Sequence, residues 1–426
     1  MNRSAKQVAI IGGGIMGCAA AYYLRRLGVA VTLFERGEIG TEQSSRALGY
    51  VRCQGRHRAE LPLSVLANRM WETLSGELGA DIDYVRQGNL VVAETEADEE
   101  RLRRSREAAR AHGLSTRTVD KDEIARLSPM LHGPWRSGIF TAEDGHVSPQ
   151  KATQAFAAAA RRAGADLRTH AGVRGIAVAG GHVTGVHAAG GFHAADAVLC
   201  VAGVSTNGLL RPLGAALPIQ IVRSSNLETT VKPPFTRTGV WTPYISMRPR
   251  LDGSFALGTG YRGSPPDHDL GAATFANLGY FLPRYLRNPR RPTLRLNRDL
   301  PDSLLRRFSA RAGARPMPDP VINEGQISER LVWVQKFFPH LAPLGVDRSW
   351  ACRIDVTPDL VPAIGPWGPD GLFTAVGFCA HGLALAPIVG RTLAELIATG
   401  RSEVDLRALR PSRFRENDLQ DDPVAL

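Results

Sequence analysis

The N-terminal segment joins an apolar strand to a run of glycines, and this junction constrains the fold more than any other feature. Val8 to Ile11 lead directly into Gly12-Gly13-Gly14-Ile15-Met16-Gly17. The first glycine permits the tight turn out of the strand, and the third lets backbone N–H groups approach a pyrophosphate. Gly17 lets the following helix pack closely on the sheet. This order predicts a Rossmann-like α/β fold that holds an adenine dinucleotide.

A carboxylate completes this pattern. After a helix predicted from about Cys18 to Leu27, a second apolar run, Val29 to Phe34, ends in Glu35, 23 residues past Gly12. The positive end of the helix points at the phosphates. A carboxylate in this place accepts hydrogen bonds from ribose hydroxyls but repels a 2′-phosphate, which argues against NADP.

Composition limits the class of protein. The 426 residues suffice for two or three domains, and 43% hydrophobic residues with 44 glycines fit an α/β protein. Five scattered cysteines without a CxxC pair predict a reducing compartment, and hence a cytoplasmic protein without disulfides or a metal site. The N-terminus enters the nucleotide strand without a signal-peptide pattern.

One apolar run raises the question of a membrane span. Gly371 to Gly390 contain no Asp, Glu, Lys or Arg and are long enough to cross a bilayer. His381, Pro387 and four glycines make this run a poor spanning helix. We therefore expect it in the protein interior, and no transmembrane segment.

The positive charge does not indicate nucleic acid. The formal net charge is +11, but arginines are spread along the whole chain without a nucleic-acid-binding motif. Between Arg284 and Arg315 there are ten arginines against Asp299 and Asp302. This cluster is either a solvated face or a docking surface for an acidic partner or substrate.

The order of helices and strands indicates one nucleotide fold that is interrupted by insertions. Helices are predicted for Asp98 to Ala111, Lys151 to Ala163 and Leu385 to Ala398, a β-meander around Gly180-Gly181 and Gly190-Gly191, and buried strands at Ala197 to Val201 and Leu372 to Val376. The nucleotide domain is assigned residues 1–85, 143–217 and 346–410. A second domain with Pro-rich β segments takes 86–142 and 218–345, and 411–426 form a polar tail that we expect to end loose.

Five landmarks in order carry a family resemblance. They are Gly12–Gly17 with Glu35; Ser44-Ser45-Arg46-Ala47-Leu48-Gly49; Ala197 to Gly203; Trp350 through Thr357-Pro358-Asp359 to Gly365-Pro366; and Gly377-Phe378-Cys379-Ala380-His381-Gly382. On these residues the chain resembles the D-amino-acid-oxidase-like (DAO) FAD oxidoreductases, which include glycine oxidase, sarcosine oxidases and opine or hydroxyproline dehydrogenase subunits. The resemblance implies an α/β fold with α+β insertions. A Rossmann-like FAD-binding domain of the glutathione-reductase type is combined with a substrate domain whose mostly antiparallel β-sheet covers the flavin.

The resemblance also implies FAD as the cofactor. In the family, Ser44 to Gly49 run past the pyrophosphate and flavin, and Gly377 to Leu383 place backbone N–H groups near the pyrimidine edge of the flavin. The residues expected to bind FAD are Gly12, Gly14, Ile15, Met16, Gly17, Glu35, Arg36, Ser44, Ser45, Gly49, Val173, Ala202, Gly203, Cys352, Gly377, His381, Gly382 and Leu383. Cys352 falls where some sarcosine oxidases attach flavin covalently. A buried free cysteine beside non-covalent FAD is the commoner arrangement.

The implied chemistry is oxidation of an amine next to a carboxylate. This reaction needs a hydride acceptor, a neutral amine and an anchor for the carboxylate. Arg52 is the first candidate anchor, because the sarcosine oxidases place a substrate arginine there; a surface arginine is the alternative. Tyr244 and Arg248 correspond to the family's roof over the flavin, where they would contact substrate, and ordinary sheet positions are the alternative.

Two further positions remain open. Arg353 stands beside Ile354, which replaces a carboxylate-binding arginine of glycine oxidase, and strand alternation turns Arg353 to the other face unless a bulge intervenes. His381 is either a flavin neighbour or a packed core histidine.

Missing lysines favour a dehydrogenase over an oxidase. Ala256 stands where monomeric sarcosine oxidase has a lysine that promotes reaction with oxygen, and Ala384 replaces a family lysine for the substrate carboxylate. The first hypothesis is therefore FAD-dependent oxidation of a secondary or primary amine carboxylate, giving an imine that hydrolyses. The alternatives are a 2-hydroxy-acid dehydrogenase with a histidine base, and a flavin subunit that relays electrons in a complex. Gly49 to Leu63 resemble the opine and hydroxyproline dehydrogenase subunits, which suggests an electron-accepting partner.

Overall fold

A computed structural model describes residues 5–232, 236–287, 293–296 and 315–420. The strands are β1 (Gln7–Ile11), β2 (Ala30–Phe34), β3 (Tyr50–Val51), β4 (Asn89–Ala93), β5 (Arg117–Val119), β6 (Ser137–Thr141), β7 (Gly145–His146), β8 (Asp166–Arg168), β9 (Gly175–Ala179), β10 (His182–Ala188), β11 (Gly191–Ala194), β12 (Ala197–Cys200), β13 (Gln220–Thr229), β14 (Gly239–Trp241), β15 (Ile245–Pro249), β16 (Phe255–Thr259), β17 (Asp267–Leu270), β18 (Thr293–Leu296), β19 (Val346–Val356), β20 (Ala363–Pro366) and β21 (Leu372–Val376). The helices are α1 (Ile15–Arg26), α2 (Leu61–Leu78), α3 (Glu96–Ala111), α4 (Lys121–Leu127), α5 (Pro149–Arg162), α6 (Thr206–Leu210), α7 (Ala272–Ala276), α8 (Leu278–Arg287), α9 (Glu324–Phe337) and α10 (Gly382–Thr399).

The nucleotide-binding part is built on a six-stranded sheet in the order β20-β21-β12-β1-β2-β8. β1 lies in the middle and pairs in parallel with β2 and β12, while β20 is antiparallel to β21. Val8 to Ile11 are all buried, as a parallel strand covered on both faces requires. The loops that follow β1, β2 and β12 therefore meet at one edge of the sheet, where ligands of such folds bind.

Helices cover one face of this sheet, and the predicted β-meander covers the other. α1, α5 and α10 pack on the first face, and the antiparallel sheet of β9, β10 and β11 packs on the second. α1 and α10 approach closely at Gly390, where an added Cβ atom would lie 2.7 Å from the Ala19 Cβ atom. The apolar run Gly371 to Gly390 thus forms β21 and the start of a core helix. By length and hydropathy α10 passes as a candidate span, but 67% of it is buried inside the protein.

The second part is a large, mostly antiparallel sheet, as the resemblance implies. Its order is β18-β17-β13-β16-β15-β14-β4-β6-β5, and β19 also pairs with β13. The pairing of β13 and β19 runs from Gln220 opposite Val356 to Thr229 opposite Val346. Residues 346–356 therefore belong to this sheet by their hydrogen bonds, although the sequence-based boundary assigns 346–410 to the nucleotide domain.

The C-terminal segment is anchored at its start. Arg413 is 0% exposed, and its guanidinium makes two hydrogen bonds to the Asp359 carboxylate, of 2.8 and 3.1 Å. It also donates to the Val361 carbonyl at 2.6 Å, and the neighbouring Phe414 is buried. A buried ion pair therefore holds residues 411–414, at the start of the polar tail. The expectation that this tail ends loose stays a prediction, because residues 421–426 lie outside the described part of the chain.

The arginine-rich segment between Arg284 and Arg315 lies mainly outside the described residues, since 288–292 and 297–314 do not belong to them. The two interpretations of that cluster stay predictions.

Candidate active site

A cavity of about 490 Å³ lies where the carboxyl edge of the nucleotide sheet meets the large sheet. Its walls come from the loops after β1, β2 and β12, from the segment between β2 and α2, from β13, β16 and β19, and from the loop before α10. Most of the predicted site residues line it: Gly12, Gly14, Ile15, Met16, Glu35, Arg36, Ser44, Gly49, Arg52, Val173, Ala202, Gly203, Cys352, Arg353, His381, Gly382 and Leu383.

The glycine loop makes a close backbone contact that leaves no space for a side chain at Gly12. A Cβ atom on Gly12 would lie 2.5 Å from the Val201 carbonyl oxygen, and the φ angle of Gly12 is +114°. Gly14 is the N-cap residue of the 12-residue helix α1, and it provides no side chain to cap the helix. The Ile15 N–H donates to Ser44 Oγ at 2.9 Å, and the N-terminus of α1 lines the cavity through Gly14, Ile15 and Met16. The positive end of the helix there fits the pyrophosphate of a dinucleotide.

Glu35 is fixed at the cavity edge by backbone amides. Gly13 N donates to its Oε2 at 2.7 Å, and Gly37 N donates to its Oε1 at 2.8 Å. Burial raises the pKa of this carboxyl, while the two amide bonds oppose the rise. Each oxygen keeps a further lone pair, so that the carboxylate remains able to accept from a ribose hydroxyl.

Gln43 ties three distant segments together around the cavity. Its Nε2 donates to Asp355 Oδ1 at 2.9 Å, and its Oε1 accepts from Val204 N at 3.0 Å. Asp355 Oδ2 in turn accepts from Gly377 N at 2.5 Å. This network joins the loop after β2, the turn after β12 and the loop before α10, so that late parts of the chain enclose the site.

The loop before α10 has an unusual backbone. Gly377, Cys379 and Ala380 have φ angles of +77°, +51° and +70°. A non-glycine residue in this region costs about 1–3 kcal/mol and persists where the surroundings impose it. The result is that the N-terminus of α10 faces the cavity at Gly382 and Leu383, without a side-chain cap. A positive helix end there suits the pyrimidine edge of a flavin.

Two buried guanidiniums lie side by side in the cavity wall. Arg52 is 6% exposed and Arg56 is 3% exposed, and both line the cavity. Arg52 Nη1 donates to the Gln54 carbonyl at 2.9 Å, and its guanidinium lies 4.2 Å from the ring centroid of Trp241. Burial and, to a smaller extent, the like charge of Arg56 together lower the pKa of Arg52 to about 9. Among the described residues, Arg52 has no carboxylate in an ion pair, and Arg56 Nη1 has no hydrogen-bond partner.

A buried carboxylate supports the turn that carries Arg52. Asp144 is 0% exposed and accepts from Cys53 N at 2.7 Å and from Gln54 N at 3.3 Å. Burial raises its pKa to about 7, against the effect of these amides and of Arg52. Asp144 thus fixes the backbone from which Arg52 extends.

His381 and Glu60 form a pair at the inner wall. His381 Nδ1 lies 2.9 Å from Glu60 Oε2, and the Glu60 side chain is 0% exposed. Burial lowers the pKa of His381 to about 4, and the charge of Arg56 acts in the same direction. Burial alone would raise the pKa of Glu60, but His381 and Arg56 hold it below its usual value.

Three of the predicted cofactor residues support the cavity wall without lining it. A Cβ atom on Gly17 would lie 2.0 Å from the Gly12 carbonyl oxygen, in keeping with close packing of α1 on the sheet. Ser45 Oγ donates to the Thr41 carbonyl at 3.0 Å, and Gly377 donates to Asp355.

The structure places Tyr244 and Arg248 outside the cavity lining. The Tyr244 hydroxyl donates to Glu94 Oε2 at 2.7 Å, and its ring stacks on Trp333 at 3.8 Å. Arg248 is buried behind Gly49, whose added Cβ atom would lie 3.1 Å from the guanidinium carbon. Tyr244 is therefore occupied on another face of the large sheet, and Arg248 stands one layer behind the wall, so neither is kept as a substrate contact.

Cys352, Arg353 and Ile354, three consecutive residues of β19, all line the cavity. Alternation along the strand therefore does not remove Arg353 from the site, and its Nη1 donates to the Pro318 carbonyl at 2.8 Å. Burial raises the pKa of the Cys352 thiol to about 12, so the thiol is neutral. Groups of three or more metal-ligating side chains are absent from the described part of the chain.

Several residues of the site escaped the sequence analysis: Gln43, Arg56, Glu60, Asp144, Trp241, Tyr261 and Asp355. Arg56 and Glu60 had a local signal, since they are four residues apart in a stretch that already contained Arg52. Glu60 and His381 are separated by 321 residues, and no local pattern connects them.

Comparison with known proteins identifies the family to which this geometry corresponds. The model of the family "DAO: FAD dependent oxidoreductase" matches residues 7–396. Glycine oxidase of Geobacillus kaustophilus is 26% identical over 94% of this chain and 94% of its own length. Sarcosine oxidase subunit beta of Rhizobium meliloti is 24% identical over 97% and 90%. 4-Methylaminobutanoate oxidase (formaldehyde-forming) of Paenarthrobacter nicotinovorans is 26% identical over 96% of this chain, which spans only 45% of that protein.

Solved structures share the fold. L-amino acid deaminase from Proteus myxofaciens superposes with a TM-score of 0.88 at 23% identity, over 97% of this chain and 94% of that chain. Glycine oxidase from Geobacillus kaustophilus superposes with a TM-score of 0.78 at 23% identity, over 96% and 98%. These similarities confirm the predicted combination of an FAD-binding α/β fold with a large β-sheet.

Proposed function

Because the chain belongs to the DAO family of FAD-dependent oxidoreductases, we propose that it oxidises the C–N bond of an amino or imino acid. FAD is the cofactor, and when bound it accepts the hydride that leaves the substrate carbon. The oxidised substrate is an imine, which water hydrolyses. The activities in the names of two relatives, glycine oxidase and sarcosine oxidase subunit beta, support this substrate class.

The observation that carries the proposal is the buried guanidinium of Arg52, which has no carboxylate in an ion pair among the described residues; beside it lies Arg56, which faces Glu60. Burying a cation without a partner is costly, and a carboxylate is the ligand that a guanidinium fork binds through two parallel hydrogen bonds. The Arg52 guanidinium also lies over the Trp241 ring, 4.2 Å from its centroid. We assign the substrate carboxylate to Arg52, with Arg56 beside it, so that the amine is oriented by the anchored end of the molecule.

A dehydrogenase is the better-supported form of the activity. Lysine is absent from the described residues that line the cavity, and arginines provide its cations. A compact ammonium beside the flavin is the feature that we associate with fast reaction with oxygen. The electrons would then pass to a partner, and the name of sarcosine oxidase subunit beta, which denotes one part of an assembly, supports such a partner. A cytoplasmic location stays a prediction, in keeping with five free cysteines.

FAD is expected to be bound without a covalent bond. Cys352 lines the cavity, but burial raises its thiol pKa to about 12, and the thiolate is the nucleophilic form. Precipitation of the purified protein with acid should therefore release all yellow colour into the supernatant. Colour retained in the pellet of the wild type, and lost in Cys352→Ser, would establish the covalent alternative.

Anaerobic reduction of the purified flavoprotein tests the function. We expect loss of the flavin absorbance on addition of an amino or imino acid and no loss with the matching 2-hydroxy acid. An artificial electron acceptor should restore the absorbance faster than oxygen does. Reduction by hydroxy acids alone would show the alcohol-oxidising alternative, and reduction by neither class would indicate a subunit that only relays electrons.

The hydroxy-acid alternative is supported by one observation, the position of His381 in the cavity wall. Oxidation of an alcohol needs a base for the hydroxyl proton, and a neutral histidine is a suitable group. The low pKa of His381, about 4, makes it a weak base for so weak an acid, which favours the amine.

A further inference from the structure

The two carboxylate oxygens of Glu60 face different residues, His381 and Arg56. Glu60 Oε2 faces His381 Nδ1 at 2.9 Å, and Glu60 Oε1 faces the Arg56 guanidinium at 3.7 Å. Glu60 is completely buried, whereas the His381 ring reaches the cavity and is 15% exposed. The Glu60 carboxylate thus faces two residues that line the cavity, Arg56 and His381, and does not itself line it.

This arrangement fixes the tautomer of the ring. An ionised carboxylate has no proton to donate, so the proton on Nδ1 must belong to His381. Two cations near the ring, Arg52 and Arg56, disfavour a second ring proton. Nε2 is therefore left with a lone pair, and it is the ring nitrogen that Glu60 does not engage.

We propose that His381 Nε2 is the hydrogen-bond acceptor for the amine of the substrate, and that Glu60 is the positioning residue that keeps it an acceptor. The inference rests on the proposed amine oxidation. His381 accepts an N–H of the neutral amine and thereby directs the nitrogen lone pair toward the carbon that loses hydride. Arg52 and Arg56 assist, because two neighbouring cations favour the neutral amine over the ammonium.

The same geometry separates amines from alcohols. An amine with a carboxylate neighbour keeps its lone pair for the carbon while it donates N–H to His381. A hydroxy acid must lose its only O–H proton to the ring, and the cations that surround the ring oppose a second ring proton.

The charged or titratable groups around the pair of His381 and Glu60 come from two segments. They are Arg52, Arg56 and His57 before α2, and Asp355 and Cys379 from β19 and the loop before α10.

Glu60→Gln is the informative substitution, because glutamine has the shape of glutamate but can donate a hydrogen bond to His381 Nδ1 where the carboxylate accepts one. The amide oxygen will face the Arg56 donors, which turns the NH₂ group toward His381 Nδ1. Nδ1 must then accept, so the ring proton moves to Nε2 and the cavity loses its acceptor. We expect kcat for the amine substrate to fall about 10- to 100-fold. Binding of propionate, a carboxylate without an amine, should stay within about twofold, because Arg52 holds it.

The tautomer of His381 can be determined by NMR, without an activity assay. In the FAD-loaded wild type labelled with ¹⁵N-histidine, the resonance that His381→Asn removes should show an unprotonated Nε2 at pH 7, and in Glu60→Gln a protonated one. Asp370→Asn is the matched control, since Asp370 faces the exposed His182 at 3.2 Å and lies outside the cavity lining. It should leave kcat and the His381 resonance unchanged.

Two results would overturn the inference. One is a protonated Nε2 of His381 in the wild type, a result that does not depend on whether Glu60→Gln folds. The other is a folded, FAD-loaded Glu60→Gln protein with unchanged kcat. If amines do not reduce the wild type at all, the proposed function fails instead, while the NMR result still reports on the pair.

Discussion

Arg52→Ala is expected to lower kcat/KM for the amine substrate by about 100-fold, which corresponds to about 2.7 kcal/mol. The substitution removes the charged hydrogen bonds to the substrate carboxylate and the cation that lies over the Trp241 ring. FAD should stay bound, because the Arg52 side chain donates to the Gln54 carbonyl and lies over Trp241, whereas the glycine loop, Glu35 and the N-terminus of α10 belong to other segments. The loss should appear mainly in KM and in the affinity for propionate, since the carboxylate is held in both ground and transition states.

Steady-state kinetics and a propionate titration of the flavin spectrum measure this effect. Arg52→Lys should recover only part of the loss, because an ammonium cannot form the paired hydrogen bonds of a guanidinium fork. Arg136→Ala is the control, since Arg136 is 47% exposed and pairs with Glu99 on the surface. Unchanged KM and propionate affinity in Arg52→Ala would remove Arg52 from the site.

Arg413→Ala is expected to lower the free energy of unfolding by about 3–5 kcal/mol. The Arg413 and Asp359 side chains are 0% and 1% exposed, so removal of the guanidinium leaves a buried carboxylate without its cation. The carbonyl oxygens of Val361, Pro362 and Leu409 lose a donor at the same time. The loop before β20 and the C-terminal segment should then separate.

Urea unfolding of the FAD-loaded protein, followed by circular dichroism and by flavin fluorescence, measures this loss. Arg407→Ala is the matched control, because Arg407 also forms an ion pair with an aspartate, Asp405, but the Arg407 side chain is 88% exposed. A pair in water contributes only about 0–1 kcal/mol. Equal stability of the two variants would contradict the role assigned to the buried pair.

Much of the nucleotide fold could be predicted from the sequence, because its signals are local. The glycine run, the apolar strands and the acidic residue after the second strand lie within about 35 residues, and the strand at 372–376 has the predicted bounds. The helix at 385–398 begins three residues earlier than predicted, at Gly382, because the left-handed residues Cys379 and Ala380 set up its first turn.

The substrate side of the site was harder to predict, because it depends on register in the large sheet. Trp241, at the end of β14, contacts Arg52, whereas Tyr244, three residues later, turns to Trp333. Composition does not distinguish these two aromatic residues. The pairing of 346–356 with β13 could not be predicted for the same reason, since it joins residues more than 100 positions apart.

The interleaved strand order has a consequence for biosynthesis. β1 lies between β2 and β12, β12 pairs with β21, and α1 packs against α10, which ends at Thr399. A chain still emerging from the ribosome therefore carries its phosphate loop long before the opposite wall exists. The nucleotide fold can close only after α10, which ends at Thr399, has been translated. Translation products that stop before Thr399 should be unable to retain the vitamin-derived coenzyme, so its capture would report that this helix has been made.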